Sequence, residues 1–203
     1  MVKYTIIIPI YNHPKYLPRL IQALEMQTFK EFEVIFTDDG SNDGTKEYFK
    51  TLKTPLNWTY TGLWFKRGMR LAKSVNNALK RATGDYMVFI MGDSIPEINY
   101  LELLNEWVDE DSVVCGVRVH IEGNKQVELD YRLRKGTIPK IPVLLSNEPW
   151  KYTTGNGLCV PRTALKKGWD ARFKGYGGDD GELVARLFYQ GYLIWSVPQL
   201  LLY

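Results

Sequence analysis

The sequence predicts a single α/β domain, and three observations carry that prediction. At 203 residues the chain has the length of one domain and is large enough to bury a proper core. Short runs of β-branched and aromatic residues alternate along it with stretches of helical period. The first two such runs, Thr5 to Ile10 and Val34 to Phe36, bracket one amphipathic helix, as a right-handed βαβ unit requires.

The elements follow in order. The strand from Thr5 to Ile10 ends in the loop Tyr11-Asn12-His13-Pro14, and the helix after it carries Leu17, Leu20, Ile21 and Leu24 on one face. The second strand ends in two carboxylates, Asp38 and Asp39, followed by the turn Gly40-Ser41-Asn42. Asn42 or Asp43 is placed to cap a helix over 43–53. Asp38 and Asp39 lie too early to cap it, and acidic side chains at the C-terminal end of a buried strand sit where open α/β sheets bind ligands. A short strand is expected over 57–61. A strong helix follows over 67–82, striped by Leu71, Val75, Ala78, Leu79 and Ala82, with Gly84 at the C′ position. Strand 86–90, helix 96–108 and strand 112–120 continue the alternation. Residues 121–150 are irregular, with Gly123, Gly136, Pro139, Pro142 and Pro149 and a basic cluster of Arg132, Arg134 and Lys135. A short strand over 158–160, a helix over 180–190 with Leu183, Leu187 and Phe188 inward, and a last strand over 192–197 complete the chain.

Composition bounds the function. A net charge of +3 with Lys and Arg scattered among Asp and Glu argues against a dedicated nucleic-acid binder. Cys115 and Cys159 both lie in apolar, strand-like contexts and read as buried thiols, not as a disulfide or metal pair. No signal peptide is evident and no apolar run approaches the roughly 18 residues of a membrane span. The expectation is a cytoplasmic, reducing setting, with peripheral membrane contact still open.

The motifs sharpen this. I-I-I-P-I-Y-N, then Q-T-F-x-x-F-E-V-I, then D-D-G-S-N-D-G-T resembles the N-terminus of the large inverting glycosyltransferase family 2, which has the GT-A fold. The resemblance implies a Rossmann-like mixed, mostly parallel central sheet with helices on both faces. It implies one domain over 1–203, with a nucleotide-binding half over 1–95 and an acceptor-binding, catalytic half over 96–203. In that family the tip of the first strand and the second aspartate of the pair hold the nucleotide base, which points to Pro9, Tyr11 and Asp39. A carboxylate can accept the N3–H of uracil, and a Tyr ring can lie on the base. The family's Arg and Asn before A-x-G fall on Arg70 and Asn76, and an Arg fork suits a base or diphosphate. The neighbouring Lys66, Arg67 and Lys73 read as a solvated basic face.

Aligned through G-D-Y-x-V-F, the family's metal-binding D-x-D has its second acid on Asp93 and its first on Met91, which cannot ligate a hard cation. The implied Mn²⁺ or Mg²⁺ would then rest on Asp93 together with substrate phosphates. A His that often completes the metal shell in such enzymes has no counterpart by sequence order, since His13 and His120 lie elsewhere. T-G-N-G-L-C-V-P-R from Thr154, then F-K-G-Y-G-G-D-D-G-E-L-V-A-R-L from Phe173, resembles the T-G-N and G-W-G-G-E-D-x-E-L segments of inverting hexosyl- and N-acetylhexosaminyltransferases, and of galactosyltransferase-like enzymes. The second acid of that motif is the family's general base, which implies Asp180, with Asp179 and Tyr176 in place of the usual Glu and Trp. The plain alternative is that Asp179 and Asp180 meet the positive end of a helix.

The implied donor is a nucleoside diphosphate sugar, UDP-linked by preference. The acceptor is a carbohydrate or glycolipid, met by Trp150, Tyr152, Trp169 or Tyr176 and by the 121–150 segment. Two rivals stay open: a degenerate, non-catalytic sugar-nucleotide-binding protein, which Met91 favours, and a nucleotidyltransferase, which would be expected to show a Gly-rich basic loop where Tyr11-Asn12-His13-Pro14 stands.

Overall fold

The computed structural model describes residues 2–12, 14–63, 70–122, 125–129, 140–175 and 177–203. The sequence readings at His13, Lys66, Arg67, Gly123, Arg132, Arg134, Lys135, Gly136, Pro139 and Tyr176 lie outside the described residues. The elements are β1 (Tyr4–Ile10), α1 (Leu17–Glu25), β2 (Phe32–Asp38), α2 (Thr45–Thr51), β3 (Trp58–Gly62), α3 (Leu71–Leu79) and β4 (Tyr86–Phe89). After them come α4 (Tyr100–Leu104), β5 (Ser112–Glu122), β6 (Lys125–Leu129), β7 (Val143–Leu144), β8 (Leu158–Pro161), α5 (Asp179–Tyr189) and β9 (Leu193–Leu202).

β1 is buried along its whole length and supplies both cores by alternation. Ile6, Ile8 and Ile10 join Leu17, Leu20 and Leu24 of α1, Phe49 of α2 and Leu101 of α4, while Ile7 joins Val75 and Ala78 of α3 and Leu183 and Leu187 of α5. Helices therefore cover both faces of one mixed sheet ordered β3-β2-β1-β4-β8-β5-β9-β7, with β6 paired to β5. The first four strands of that order are parallel, β8 runs antiparallel to β4 and β5, and β9 returns parallel to β5. This is the GT-A arrangement the motifs imply. Its parallel strand ends place Tyr11, the Asp38-Asp39 pair and the turn after β4 along one rim.

Several boundaries depart from the sequence pattern, each for a local reason. α2 is capped by the left-handed Gly44, not by Asn42 or Asp43, and Asp43 Oδ1 instead accepts the Thr45 N–H and hydroxyl at 3.2 and 2.6 Å. α3 starts at Leu71 because Arg70, with φ −137° and ψ 44°, stands outside the helical region. It ends at Leu79, so Gly84 is not its C′ residue; a Cβ on Gly84 would lie 2.6 Å from Thr5 N, and glycine is needed there for the chain to pass β1. Helix 96–108 shrinks to α4, because Pro96 and Glu97 are bonded to the end of β9. β9 itself runs on to Leu202. Cys115 and Cys159 are free and buried, as the sequence suggests. No helix among the described residues is long and apolar enough to cross a membrane.

Candidate functional site

The rim is built by three short segments tied to one another. Ile10 pairs with Asp38 in register, and the Asp39 N–H donates to the Ile10 carbonyl at 2.9 Å. Beyond β1, Asn12 adopts φ 53°, its N–H donates to Ser41 Oγ at 2.9 Å, and its Oδ1 accepts the Asn42 N–H at 3.0 Å. Pro9 is buried within β1, and its carbonyl accepts the Gly92 N–H at 3.0 Å. Its part is thus to fix the turn after β4. Tyr11 is half-buried at the tip.

The two aspartates after β2 divide their work. Asp38 is fully buried; its Oδ1 accepts the Ser41 N–H and hydroxyl, both at 2.7 Å, and its Oδ2 accepts the Tyr60 hydroxyl. Asp38 therefore holds the turn, which corrects the expectation that both acids face a ligand. Asp39 Oδ2 accepts the Arg70 N–H at 2.9 Å, while its Oδ1 is buried with no partner among the described residues. Burial pushes the Asp39 carboxyl above its ordinary value, the Arg70 N–H opposes this, and the Asp38 charge adds to it. Arg70 Nε is likewise buried without a partner among the described residues. A buried acceptor and a buried donor, on two residues that hydrogen-bond each other, are thus unsatisfied among the described residues.

Asn76 does not share that opening. Its Nδ2 donates to the Trp169 carbonyl and its Oδ1 accepts the Trp169 N–H, both at 2.8 Å. Both amide groups of Asn76, a residue the resemblance places among those that bind the donor, are engaged with Trp169 and tie α3 to a distant loop. Trp169 is 1% exposed and packs edge-on against Phe89, so it belongs to the core and is no platform for a sugar. Trp150 packs on Phe188 and Tyr189, with ring centroids 6.1 and 5.7 Å away.

The segment Thr154-Gly155-Asn156 joins the two acidic centres. Asn156 Oδ1 accepts the Met91 N–H at 3.0 Å and its Nδ2 donates to Ser94 Oγ at 2.8 Å, clamping the turn on which Asp93 stands exposed. The Gly155 N–H donates to Asp180 Oδ2 at 2.8 Å, and Asp180 Oδ1 accepts the Gly181 N–H at 2.8 Å. Two consecutive residues thus hold the Asp93 turn on one side and the Asp180 carboxylate on the other. Asp180 is half-buried in the first turn of α5, capped by the left-handed Gly178. Asp179 beside it is 6% exposed; burial pushes its carboxyl up, backbone amides at the helix start oppose this, and the Asp180 charge adds to it. The helix-end contact expected of these acids is present, with both in the first turn of α5.

Sequence reading missed the structural duties of Asn156, Glu182 and Arg186. Arg186 pairs with Glu182 at 2.8 Å and donates to the Gly168 carbonyl at 2.7 Å. The i, i+4 spacing of Glu182 and Arg186 was a visible signal for that pair. Nothing local announced the reach of Asn156 to Ser94. Among the described residues no three acidic, His or Cys side chains gather into a metal cluster.

The sequence model described as "Glycosyl transferase family 2" matches residues 5–164. The chain is 26% identical to chondroitin synthase of Escherichia coli over 98% of its own length and 34% of that protein's. It is 33% identical to poly(ribitol-phosphate) beta-N-acetylglucosaminyltransferase TarS of Staphylococcus aureus MW2 over 85% of its length and 30% of that protein's. The chain thus spans about a third of the length of these curated relatives. The crystal structure of S. aureus TarS 1–349 in complex with UDP superposes with a TM-score of 0.80 at 24% identity, covering 100% of this chain and 60% of that one. The mannosyltransferase PcManGT of Pyrobaculum calidifontis, in complex with GDP-Man and Mn²⁺, gives 0.73 at 21%, covering 98% and 56%. Both structural likenesses concern the fold.

Proposed function

The chain belongs to glycosyl transferase family 2, and on that premise we propose that it transfers a hexose or N-acetylhexosamine from a UDP-linked donor to an acceptor hydroxyl, with inversion and with Asp180 as general base. The single observation that carries this reading is the Gly155-Asn156 bridge, which holds the turn bearing Asp93 and the carboxylate of Asp180 from adjacent residues. A site for a diphosphate and a site for an acceptor proton are thereby kept in fixed relation, which is what transfer between two bound reactants needs.

In this reading the half over 1–95 holds the nucleotide. Asp39 Oδ1 accepts the uracil N3–H, Arg70 Nε donates to a base carbonyl, and Tyr11 flanks the ring. A UDP donor is favoured by the orphan acceptor at Asp39 and by TarS, whose structure contains UDP. Asp93 is the residue that would hold Mn²⁺ or Mg²⁺, and one exposed carboxylate fits an ion that draws its other oxygens from a diphosphate and water. Such an ion, when bound, supplies positive charge to the departing diphosphate.

The half over 96–203 supplies the base. Asp180 Oδ1 and Oδ2 each accept a backbone N–H, which fixes the carboxylate's plane while leaving lone pairs for an acceptor hydroxyl. The proton passes to Asp180 as the hydroxyl oxygen attacks the anomeric carbon and the bond to the diphosphate oxygen breaks on the opposite face. A carboxylate is a weak base for a sugar hydroxyl, so proton transfer accompanies attack and contributes about 10²–10⁴-fold. Asp180 is preferred over Asp179 because it is half-buried at the surface of the site, whereas Asp179 is enclosed. The acceptor is a carbohydrate or glycolipid hydroxyl.

The test is UDP release from a panel of UDP-hexoses and UDP-N-acetylhexosamines, offered with an oligosaccharide array and repeated with Asp180→Asn. Release that needs acceptor and falls by about a hundredfold in the variant, while UDP still binds, is expected. A variant that keeps more than about a tenth of the rate rules Asp180 out as base. UDP binding with no release from any donor favours the sugar-nucleotide-binding rival.

A further inference from the structure

We propose that Asn76 is a positioning residue for Asp180, acting through Trp169 and Gly155, so that the nucleotide-binding half sets the aim of the base. The inference rests on the reading of Asp180 as general base and extends it to a side chain 104 positions away in sequence.

The path is continuous. Asn76, on α3, grips both polar groups of the Trp169 backbone at 2.8 Å. The preceding residue must be glycine for this to happen: Gly168 has φ 63°, and a Cβ there would lie 2.4 Å from Asn76 Oδ1. Among the described residues the Trp169 indole N–H has no hydrogen-bond partner, so none of them orients the ring through a polar contact with it. The ring lies in the core beneath α3 and α5, its backbone held by Asn76 and its face edge-on to Phe89, with centroids 5.2 Å apart. The far edge of that ring supports Gly155. A Cβ on Gly155 would stand 3.0 Å from Trp169 Cη2 and 3.2 Å from Asp180 Cβ, so a methyl group there would press on both by a few tenths of an ångström. Gly155 in turn gives its N–H to Asp180 Oδ2 at 2.8 Å.

α5 closes the ring from the other side. Arg186 donates to the Gly168 carbonyl at 2.7 Å while paired with Glu182 at 2.8 Å. The Gly168-Trp169 link is thus held by α3 through Asn76 and by α5 through Arg186, and α5 is the helix that carries Asp180. Such support matters because a displacement of about an ångström at a reacting group can lower a rate about a hundredfold.

The experiment uses the whole chain in three single variants and one double. Asn76→Leu keeps the branched outline of the side chain, with a larger volume, and removes the grip. Gly155→Ala keeps the grip and wedges the last link, so it serves should Asn76→Leu not fold. For each, kcat and donor KM are measured with the donor identified by the panel above, UDP affinity by calorimetry, and Tm by thermal unfolding. The expected result is a fall in kcat of about 10–100-fold with donor KM and UDP affinity within about twofold of the parent. In the Asp180→Asn background, Asn76→Leu should add far less than it does alone, since misplacing an absent base has no further effect. Parent-like kcat in both Asn76→Leu and Gly155→Ala, with Asp180→Asn inactive, overturns this inference alone. A parallel loss of kcat, UDP affinity and Tm, additive with Asp180→Asn, also overturns it, because that is what a general packing role would give. Parent-like turnover in Asp180→Asn overturns instead the general-base reading on which it rests.

Discussion

Asp39→Asn should weaken UDP binding and raise thermal stability at once. The substitution is nearly isosteric, and its consequences follow from two oxygens. Oδ2 accepts the Arg70 N–H at 2.9 Å, so the amide oxygen of an Asn must take that position to keep the bond. The amide nitrogen then falls where Oδ1 stood, buried and unpartnered, with its hydrogens facing the uracil N3–H. An acceptor has become a donor facing a donor. Loss of a hydrogen bond to a charged group is worth about 1.5–3 kcal/mol, or roughly a 10–150-fold weaker Kd.

Stability moves the other way. Burial raises the folded-state pKa of Asp39 above its unfolded value, so the folded state binds the proton more tightly. Stability is therefore greatest below the unfolded pKa and declines as pH rises through the folded one. Near neutral pH the ionised Asp39 burdens the fold, and a neutral Asn removes that burden. UDP affinity should decline on acidification at a pH above the ordinary carboxylate value, because the protonated acid no longer accepts from N3–H. Calorimetry with UDP between about pH 4 and 8, paired with thermal unfolding at pH 7, measures both. Parent-like UDP affinity in Asp39→Asn would show that this carboxylate is not reserved for the base, and a lowered Tm that its buried charge does not burden the fold.

Three further outcomes are expected. Mn²⁺ alone should bind weakly to the free protein and more tightly with UDP present, and by linkage Mn²⁺ should tighten UDP by the same factor; equal Mn²⁺ affinity with and without UDP removes Asp93 as a shared ligand. NMR of the first-formed glycoside should show the anomeric configuration opposite to that of the donor, and retention would demand a nucleophile on the enzyme. Gly84→Ala should destabilise the fold by about 1–3 kcal/mol with UDP affinity unchanged, because its Cβ would press on the Thr5 and Tyr4 backbone at 2.6 and 2.7 Å; an unaltered Tm contradicts that close approach.

The sequence by itself determined the order of the elements outside 121–150, the two-faced core and the rim on which the acids lie, whereas β6 and β7 arise within a stretch it read as irregular. Strand and helix periods are local properties: the alternation of Ile6, Ile7 and Ile8 between two cores, and the stripe of Leu183 and Leu187, are visible in any short window. The order of D-D-G-S, the Asp93 turn and G-G-D-D was legible for the same reason. The tertiary structure decided what each residue of those motifs does. Asp38 holds a turn while its neighbour Asp39 keeps one buried oxygen unpaired among the described residues, a distinction made by Tyr60 and Arg70 from other elements. Asn76 lies in a family motif but spends both amide groups on Trp169, 93 positions away, and Gly84 answers to the backbone of β1 instead of ending α3. Periodicity reports which face a side chain takes. Which polar atom meets which is settled only when distant segments pack, because a buried donor or acceptor takes its partner from whatever the fold brings within about 3 Å.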